Sequence, residues 1–351
     1  MSMLFALICL VGGLLGSTIG LLIDPKPMLA SYLVAWIAVS SISIGSIGVL
    51  PVTYLVRGGW TEDLHRPLTL AALTLPVFAL LFLPIVLGCA TLYSWANASQ
   101  ALPAFQSVWL SPWFFSARAL FYFVVLFGLV LWLAVGFDEE PARVRSASVA
   151  SIVWTLIVSF AGIDWIESLE PHFHSSIYGL LMVSFALLSG LGFAMAVVLI
   201  NRRPLAMQPW AYSGLLLSVL LLWAYLHAMQ YIIIWTGNLP DEVIWYVERL
   251  DGPWGFLLWA LFILQFFVPF FALLPARLRY DARTLLWISV ATLALRYLEA
   301  AVLILPPLHV GRLVLLLDLP AALLLITAGF ALAWPIADRI ARPLVSRAAP
   351  I

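Results

Sequence analysis

Long apolar runs separated by short polar segments dominate the 351-residue chain. An α-helix needs about 20 apolar residues to cross a bilayer, and about ten runs reach that length. The pattern predicts an all-α polytopic membrane protein whose 351 residues form a single integral membrane domain. The predicted spans are 2–23, 29–56, 68–92, 114–136, 148–166, 176–200, 210–236, 254–274, 284–305 and 312–334.

Basic residues are concentrated in alternate connections. The positive-inside rule places this side, and with it both termini, in the cytoplasm. The opposite side has longer loops rich in tryptophan, which indicate either an aromatic belt at the lipid headgroups or a contact surface for a peripheral subunit. The basic side carries Arg57, Arg66, Arg143, Arg145, Arg202, Arg203, Arg277, Arg279, Arg283, Arg339, Arg342 and Arg347, and the other side Lys26, Arg249 and Arg312.

Composition agrees with a membrane protein, because 64% of the residues are hydrophobic and only 10% are charged. The 17 basic residues balance the 17 acidic ones, so the net charge gives no sign of a nucleic-acid partner. The two cysteines, Cys9 and Cys89, both lie in apolar runs and are too few for a four-thiolate iron–sulfur site.

An internal similarity divides the spans into two groups. Residues 39–57 resemble 183–201 at an offset of 144, and both segments are rich in small residues that suit close helix packing. We therefore expect two four-helix bundles, made of helices 2–5 and helices 6–9, with helices 1 and 10 flanking them. The corresponding ranges are 29–166, 176–305, 1–23 and 312–334.

Charged residues inside predicted spans are costly, and each is a candidate functional group. Arg296 and Glu299 are three residues apart and share a face of the ninth helix. Asp318 on the tenth helix has a similar predicted depth, so a cluster of the three residues is geometrically possible. Such a cluster is either a structural ion pair between helices or a proton-handling, quinone-facing group.

The seventh span contains a second set of polar residues on one face. His227 and Gln230 are at positions i and i+3, and Trp223 lies four residues before His227. A buried histidine can hydrogen-bond a quinone carbonyl and take its proton, since imidazole titrates near neutrality. The alternative is a histidine paired with a neighbouring helix. No second histidine lies at membrane depth, so we expect no b-type haem.

Hydroxyl groups line one face of the fifth span, at Ser148, Ser151, Thr155 and Ser159, and lead toward Asp164. They either support a chain of water molecules or simply form a small-residue helix interface. Arg118, at the corresponding end of the fourth span, is expected to snorkel, to pair with Asp164 or Glu167, or to face a quinone.

Residues 161–179 read AGIDWIESLEPHFHSSIYG and join two apolar runs. His172 and His174 are separated by one residue and follow Pro171, so they do not share a helical face and form a poor zinc motif. We expect no metal here. Asp164, the carboxylate nearest the membrane interior, is the expected proton gate, with Glu167 beside it.

Several of these segments carry a resemblance to a known family. AGIDWIESLEPHFHSSIYG, WAYLHAMQYIIIWTGNLPDEVIWY, RPLTLAALTLPVFALLFLPIVLG and LYSWA are similar to the second polysulfide-reductase-type membrane subunit of bacterial alternative complex III. The similarity extends over about residues 30–300. It implies an inner-membrane subunit, without a bound redox cofactor, of a quinol:cytochrome c or quinol:electron-acceptor oxidoreductase.

The resemblance also implies partners. These are a second related membrane subunit, which is the better candidate for the main quinol site, and periplasmic iron–sulfur and multihaem cytochrome c subunits. A terminal oxidase and lipids are further partners, and the quinol is menaquinol or ubiquinol. In this subunit the family suggests a proton path or a structural role.

Two other functions fit the same sequence. Ten spans, an internal repeat and intramembrane charges also suit a secondary transporter, although both repeat copies start on the same side. A purely structural anchor for peripheral redox subunits needs no polar pathway at all.

Overall fold

The computed structural model describes residues 3–56, 58–97, 104–134, 139–201 and 209–345, and Arg57, Arg202, Arg203 and Arg347 lie outside them. Ten helices in these ranges are long and apolar enough to cross a membrane, which confirms the all-α polytopic prediction. They are α1 (Met3–Ile23), α2 (Pro25–Leu55), α3 (Trp60–Leu87), α4 (Pro112–Ala134), α5 (Glu140–Trp165), α6 (Tyr178–Ile200), α7 (Pro209–Gly237), α8 (Gly252–Leu273), α9 (Ala282–Ile304) and α10 (Arg312–Val345).

Several helices extend beyond the predicted apolar runs. α3 begins at Trp60, α5 at Glu140, and α10 ends at Val345. Polar turns continue these helices, since helical hydrogen bonding does not depend on apolar side chains. At the start of α2, the Asp24 carboxylate accepts a hydrogen bond from the Lys26 amide next to a proline at the first helical position.

α2 and α6 form the centre of the molecule and approach each other very closely. A Cβ atom added to Gly45 would lie 1.7 Å from the Ala186 carbonyl oxygen, and one on Gly190 would lie 2.4 Å from the Gly45 carbonyl carbon. Ser41 donates a hydrogen bond of 2.8 Å to Ser189 at the same level. The two repeat segments therefore pack against each other, and their small residues permit the contact.

The other helices surround this pair. α3, α5, α9 and α10 contact α2, while α5, α7 and α9 contact α6. α1 packs mainly on α10, in an antiparallel arrangement that places Gly13 against Leu325 and Gly20 against Asp318. α4 packs on α5, and α8 packs on α9.

Prolines divide α3 into short helical pieces, and side chains of α2 bind the carbonyl groups near the breaks. Trp36 Nε1 donates to the Phe78 carbonyl at 3.0 Å, and the Tyr32 hydroxyl donates to the Leu81 carbonyl at 2.7 Å. In α8, a π-helical turn at Ile263–Phe267 precedes Pro269. In α3, side chains of α2 therefore provide donors to the Phe78 and Leu81 carbonyl groups.

The two ends of the bundle differ in character. The arginine end carries the connections after α2, α4, α6 and α8 together with the adjoining helix ends, and most of the described basic residues lie there: Arg66, Arg143, Arg145, Arg277, Arg279, Arg283, Arg339 and Arg342. The aromatic end carries the connections after α1, α3, α5, α7 and α9. The longest of these include two short helices, Ala104–Trp109 before α4 and Pro240–Leu250 between α7 and α8.

Candidate functional site

Asp164 lies near the end of α5 and is only 1% exposed. Arg118 of α4 binds it with two hydrogen bonds, from Nε to Oδ2 at 2.7 Å and from Nη2 to Oδ1 at 2.9 Å. The Tyr122 hydroxyl donates to Oδ2 at 2.6 Å, and Trp109 Nε1 donates to Oδ1 at 3.0 Å. Four hydrogen bonds therefore occupy the two carboxylate oxygens.

The Arg118 guanidinium is equally well held. Its Nη1 donates to the Trp109 carbonyl at 2.8 Å, and the group stacks on the rings of Trp109 and Phe114. Of the three alternatives for Arg118, the structure selects the pair with Asp164. A carboxylate and a guanidinium locked in this way tie α4, α5 and the preceding loop together, which favours a structural role over the proton gate expected of Asp164 and the quinone-facing role expected of Arg118.

The hydroxyl stripe on α5 bonds to its own helix. Ser148, Ser151 and Thr155 each donate to the carbonyl four residues earlier, at 2.8 to 2.9 Å. Ser159 packs against Gly179 of α6. These contacts are typical of a small-residue helix interface. Within the described residues, no hydrogen bond connects the stripe to Asp164.

Glu299 is the centre of a second buried group, and it joins the two sets of residues that the sequence placed on separate helices. Trp223 Nε1 donates to Glu299 Oε1 at 2.9 Å, and His227 Nε2 lies 3.0 Å from the same oxygen. Arg296 forms an ion pair with Glu299 through Nη1 and Oε2. Glu299 and Arg296 are 2% and 0% exposed.

Helical spacing explains how this group forms. Arg296 and Glu299 face the same way at i and i+3 on α9, and Trp223 and His227 do so at i and i+4 on α7. Asp318, the third member of the possible cluster, does not join this group but packs against Gly20 of α1. Asp318 belongs to the α1–α10 interface, on the face of α10 that α1 covers.

An aromatic cavity of about 280 Å³ lies beside this group, and His227 and Glu299 line it. Tyr231 and Trp259 also line it and are 48% and 63% exposed, so the cavity opens on the lateral, lipid-facing surface of the bundle. Its remaining wall residues include Trp245, Tyr246, Phe262, Leu258 and Leu303. The site thus combines an apolar, ring-lined chamber with one base and one carboxylate at its wall.

Gln230 and Glu167 line a different cavity, which lies nearer the aromatic end. The Ser175 amide donates to Glu167 Oε1 at 2.7 Å, and the Ser175 hydroxyl lies 3.5 Å from Gln230 Oε1. Both side chains line a chamber of about 490 Å³ that also includes His174 and Glu242. Gln230 therefore does not join the Glu299 group, although it is on the same face of α7 as His227.

The sequence interpretation gave no role to Arg249, which the structure buries completely. Its guanidinium donates to Glu170 Oε2 at 2.8 Å and to the carbonyl groups of Val302, Leu303 and Trp245 at 2.8 to 3.1 Å. Burial raises the pKa of the Glu170 carboxyl although the Arg249 guanidinium opposes that shift. The pair fastens the helix Pro240–Leu250 to the end of α9 and to the segment after α5.

His172 and His174 are both exposed and line different cavities. No group of three His, Cys, Asp or Glu side chains with metal-site geometry occurs within the described residues. No family model and no curated protein matches the chain.

Proposed function

We propose that this chain is the cofactor-free integral membrane subunit of a quinol-oxidising respiratory complex similar to alternative complex III. The observation that carries the proposal is the aromatic cavity with His227 and Glu299 at its wall. Its opening toward the lipid suits a ligand that diffuses in the bilayer, and its aromatic walls suit a quinone ring.

The hydrogen bonds around Glu299 support a specific role for His227. Trp223 Nε1 and the Arg296 guanidinium carry only donors, so Glu299 is the acceptor of this group. His227 then donates from Nε2, which leaves Nδ1 as the basic nitrogen that accepts a proton from a quinol hydroxyl. The carboxylate stabilises the imidazolium that results.

The overall reaction at such a site has a simple balance. A quinol gives up two electrons and two protons and becomes a quinone. His227 takes one of these protons, the second proton passes to water, and the two electrons pass to an acceptor on a partner subunit. This chain supplies the binding wall and the proton acceptor, and the redox groups implied by the resemblance, haem c and iron–sulfur clusters, belong to the partners.

The proposal includes an orientation and a location. By the positive-inside rule, the basic residues at the arginine end favour a cytoplasmic position for that end and for both termini. The location is the inner membrane of a bacterium. The aromatic end then faces outward and receives the periplasmic iron–sulfur and multihaem cytochrome c subunits, while a second related membrane subunit, and in some assemblies a terminal oxidase, lies alongside.

A structural anchor is the second candidate function, and two observations favour it. The Asp164–Arg118 and Glu170–Arg249 pairs are densely hydrogen-bonded and hold the aromatic-end segments in place. A rigid outer surface is what a docking platform requires. The anchor function differs from the first candidate only at the His227–Glu299 cavity.

The test therefore addresses that cavity in the intact complex. His227→Phe keeps the volume of the ring and removes its nitrogens, and Ser218→Ala on the exposed surface of α7 is the matched control. We expect His227→Phe to lower quinol turnover by about 100-fold, in line with the loss of a general base. We also expect it to reduce labelling of the cavity by a photoreactive quinone, whereas Ser218→Ala changes neither.

Normal turnover and normal labelling in a fully assembled His227→Phe complex would leave the structural anchor as the better function.

A further inference from the structure

The 490 Å³ chamber at the aromatic end has more polar groups in its wall than the aromatic cavity beside Glu299, although isoleucine side chains form much of the rest. It lies among the end of α5, the start of α6 and the last turns of α7. His174 and Ser176 are exposed at its mouth, and the buried Gln230 and Glu167 lie at its inner wall. Its other polar wall groups belong to Ser175 and Glu242.

Two of the inner groups have unused hydrogen-bonding capacity. Gln230 is 1% exposed and Glu167 is 8% exposed. Glu167 Oε2 has no hydrogen-bond partner among the described residues. The Gln230 amide lies beside the Tyr246 hydroxyl, which leaves at least one of its two N–H groups for another partner. Buried polar atoms normally find a partner, and a chamber of this size with several polar wall groups can supply it as water.

The inner wall of the chamber lies close to the proton acceptor. Gln230 follows His227 by three residues on α7, which corresponds to about 4.5 Å along the helix axis. The two side chains share a face of the helix. A proton on His227 therefore lies about one helical turn from a water-compatible chamber that opens at the aromatic end.

We propose that this chamber is the exit through which the proton accepted by His227 reaches the aromatic-end surface. The inference rests on the proposed function. The imidazolium of His227 gives its proton to a water molecule that the Gln230 amide orients. The Glu167 carboxylate then takes that proton and returns it to water at the mouth, beside His174. One proton enters and one leaves, and no electron moves.

A thiol-accessibility experiment tests the chamber without using quinol chemistry. Gln230→Cys is compared with Ile232→Cys, which lies on the exposed apolar surface of the same helix, in a chain whose Cys9 and Cys89 are replaced by alanine. Intact cells or spheroplasts are treated with a charged, membrane-impermeant thiol reagent. We expect Gln230→Cys to react at least tenfold faster than Ile232→Cys.

Equal, slow labelling of both positions would show that the chamber is not a water-filled route to that surface, and would overturn the proposal. Ser175→Cys serves as a second probe of the same wall if Gln230→Cys does not accumulate.

A second measurement separates the exit from the quinone site. Glu167→Gln keeps the oxygen that accepts from the Ser175 amide and removes the proton-carrying carboxylate. We expect this variant to lower quinol turnover by about tenfold or more and to keep quinone labelling of the aromatic cavity unchanged. His227→Phe, in contrast, is expected to lower both quinol turnover and quinone labelling of the aromatic cavity.

If Glu167→Gln has unchanged turnover while His227→Phe is impaired, the proposed proton exit is refuted and the proposed quinone site is retained. Unchanged turnover in both variants would refute the proposed function itself.

Discussion

Individual charged residues at the aromatic end fall into two chemical classes. Asp164 and Arg249 have their hydrogen-bonding capacity largely filled by fixed protein groups. Glu167 keeps a carboxylate oxygen without a partner among the described residues, and Glu299 adjoins a cavity. A buried ion that is fully paired is costly to disturb and slow to change protonation. Proton handling therefore belongs to the second class.

The Asp164–Arg118 pair gives a prediction about stability. Asp164→Asn removes the counter-charge of a guanidinium that is 7% exposed. An unpaired buried charge costs about 3–5 kcal/mol, so we expect a lower yield and a lower thermal midpoint of the detergent-purified protein. Thermal unfolding followed by circular dichroism measures the effect.

The double variant Arg118→Met/Asp164→Asn is the control for this prediction, because it removes the unpaired charge as well. We expect it to recover part of the lost stability. A stable, well-assembled Asp164→Asn protein with slow quinol turnover would instead support the proton gate that the sequence suggests.

Residue spacing predicts which side chains share one helix but not which helices meet. The pairs Arg296 with Glu299 and Trp223 with His227 follow from the chain alone. That the two pairs contact each other does not, because the membrane helices are apolar on nearly every side and carry no polar face that would reveal their orientation. For the same reason, the predicted depth of Asp318 does not show that this residue packs against α1. The role of Arg249 cannot be predicted from the sequence because its partners are mainly backbone carbonyl groups far away in the chain.

At the scale of the elements, the α2–α6 contact determines how the two halves of the bundle meet. The small residues of the repeat indicate only that each helix suits close packing, and the structure shows that Gly45 and Gly190 bring the two helices against each other. In lipid there is little hydrophobic drive to bring helices together, so close backbone packing carries much of the association.

Gly190→Ala tests this contact. The added Cβ would lie 2.4 Å from backbone atoms of Gly45 and Ser46, which cannot move without separating the helices. Overpacking typically costs about 1–3 kcal/mol, and we expect a clear fall in the thermal midpoint. Gly128→Ala on α4 is the matched control, because nothing lies within 4 Å of its added Cβ.

The control variant should be as stable as the parent or slightly more so, since alanine favours a helix over glycine. Equal midpoints for the two variants would mean that α2 and α6 are not in close contact.

At the scale of the whole molecule, function-related features are concentrated at one end. The aromatic end holds the buried pairs of Asp164, Glu170 and Glu299 and three cavities lined by carboxylates. At the arginine end the ion pairs of Asp338 with Arg66 and Arg342 are partly exposed. Such surface pairs contribute little to stability. The asymmetry supports the proposal that partner subunits bind at the aromatic end.

This asymmetry leads to a prediction about assembly. When the chain is purified from its native membrane in mild detergent, we expect an iron–sulfur subunit, a multihaem cytochrome and a second related membrane subunit to purify with it, together with haem absorption. The partners should protect the helix Pro240–Leu250 and the segment 166–177 from protease, because these segments lie at the aromatic end, where the redox subunits are proposed to bind. Mass spectrometry and an absorption spectrum measure the composition.

Partners that protect only the arginine end would contradict the outward docking of the redox subunits. A chain that purifies alone and colourless would remove the respiratory assignment. Solute flux through that isolated chain, reconstituted in vesicles, would then make a secondary transporter the better function. The cavity beside Glu299 would in that case hold a transported solute, and the buried carboxylate would couple its movement to a proton rather than to an electron acceptor.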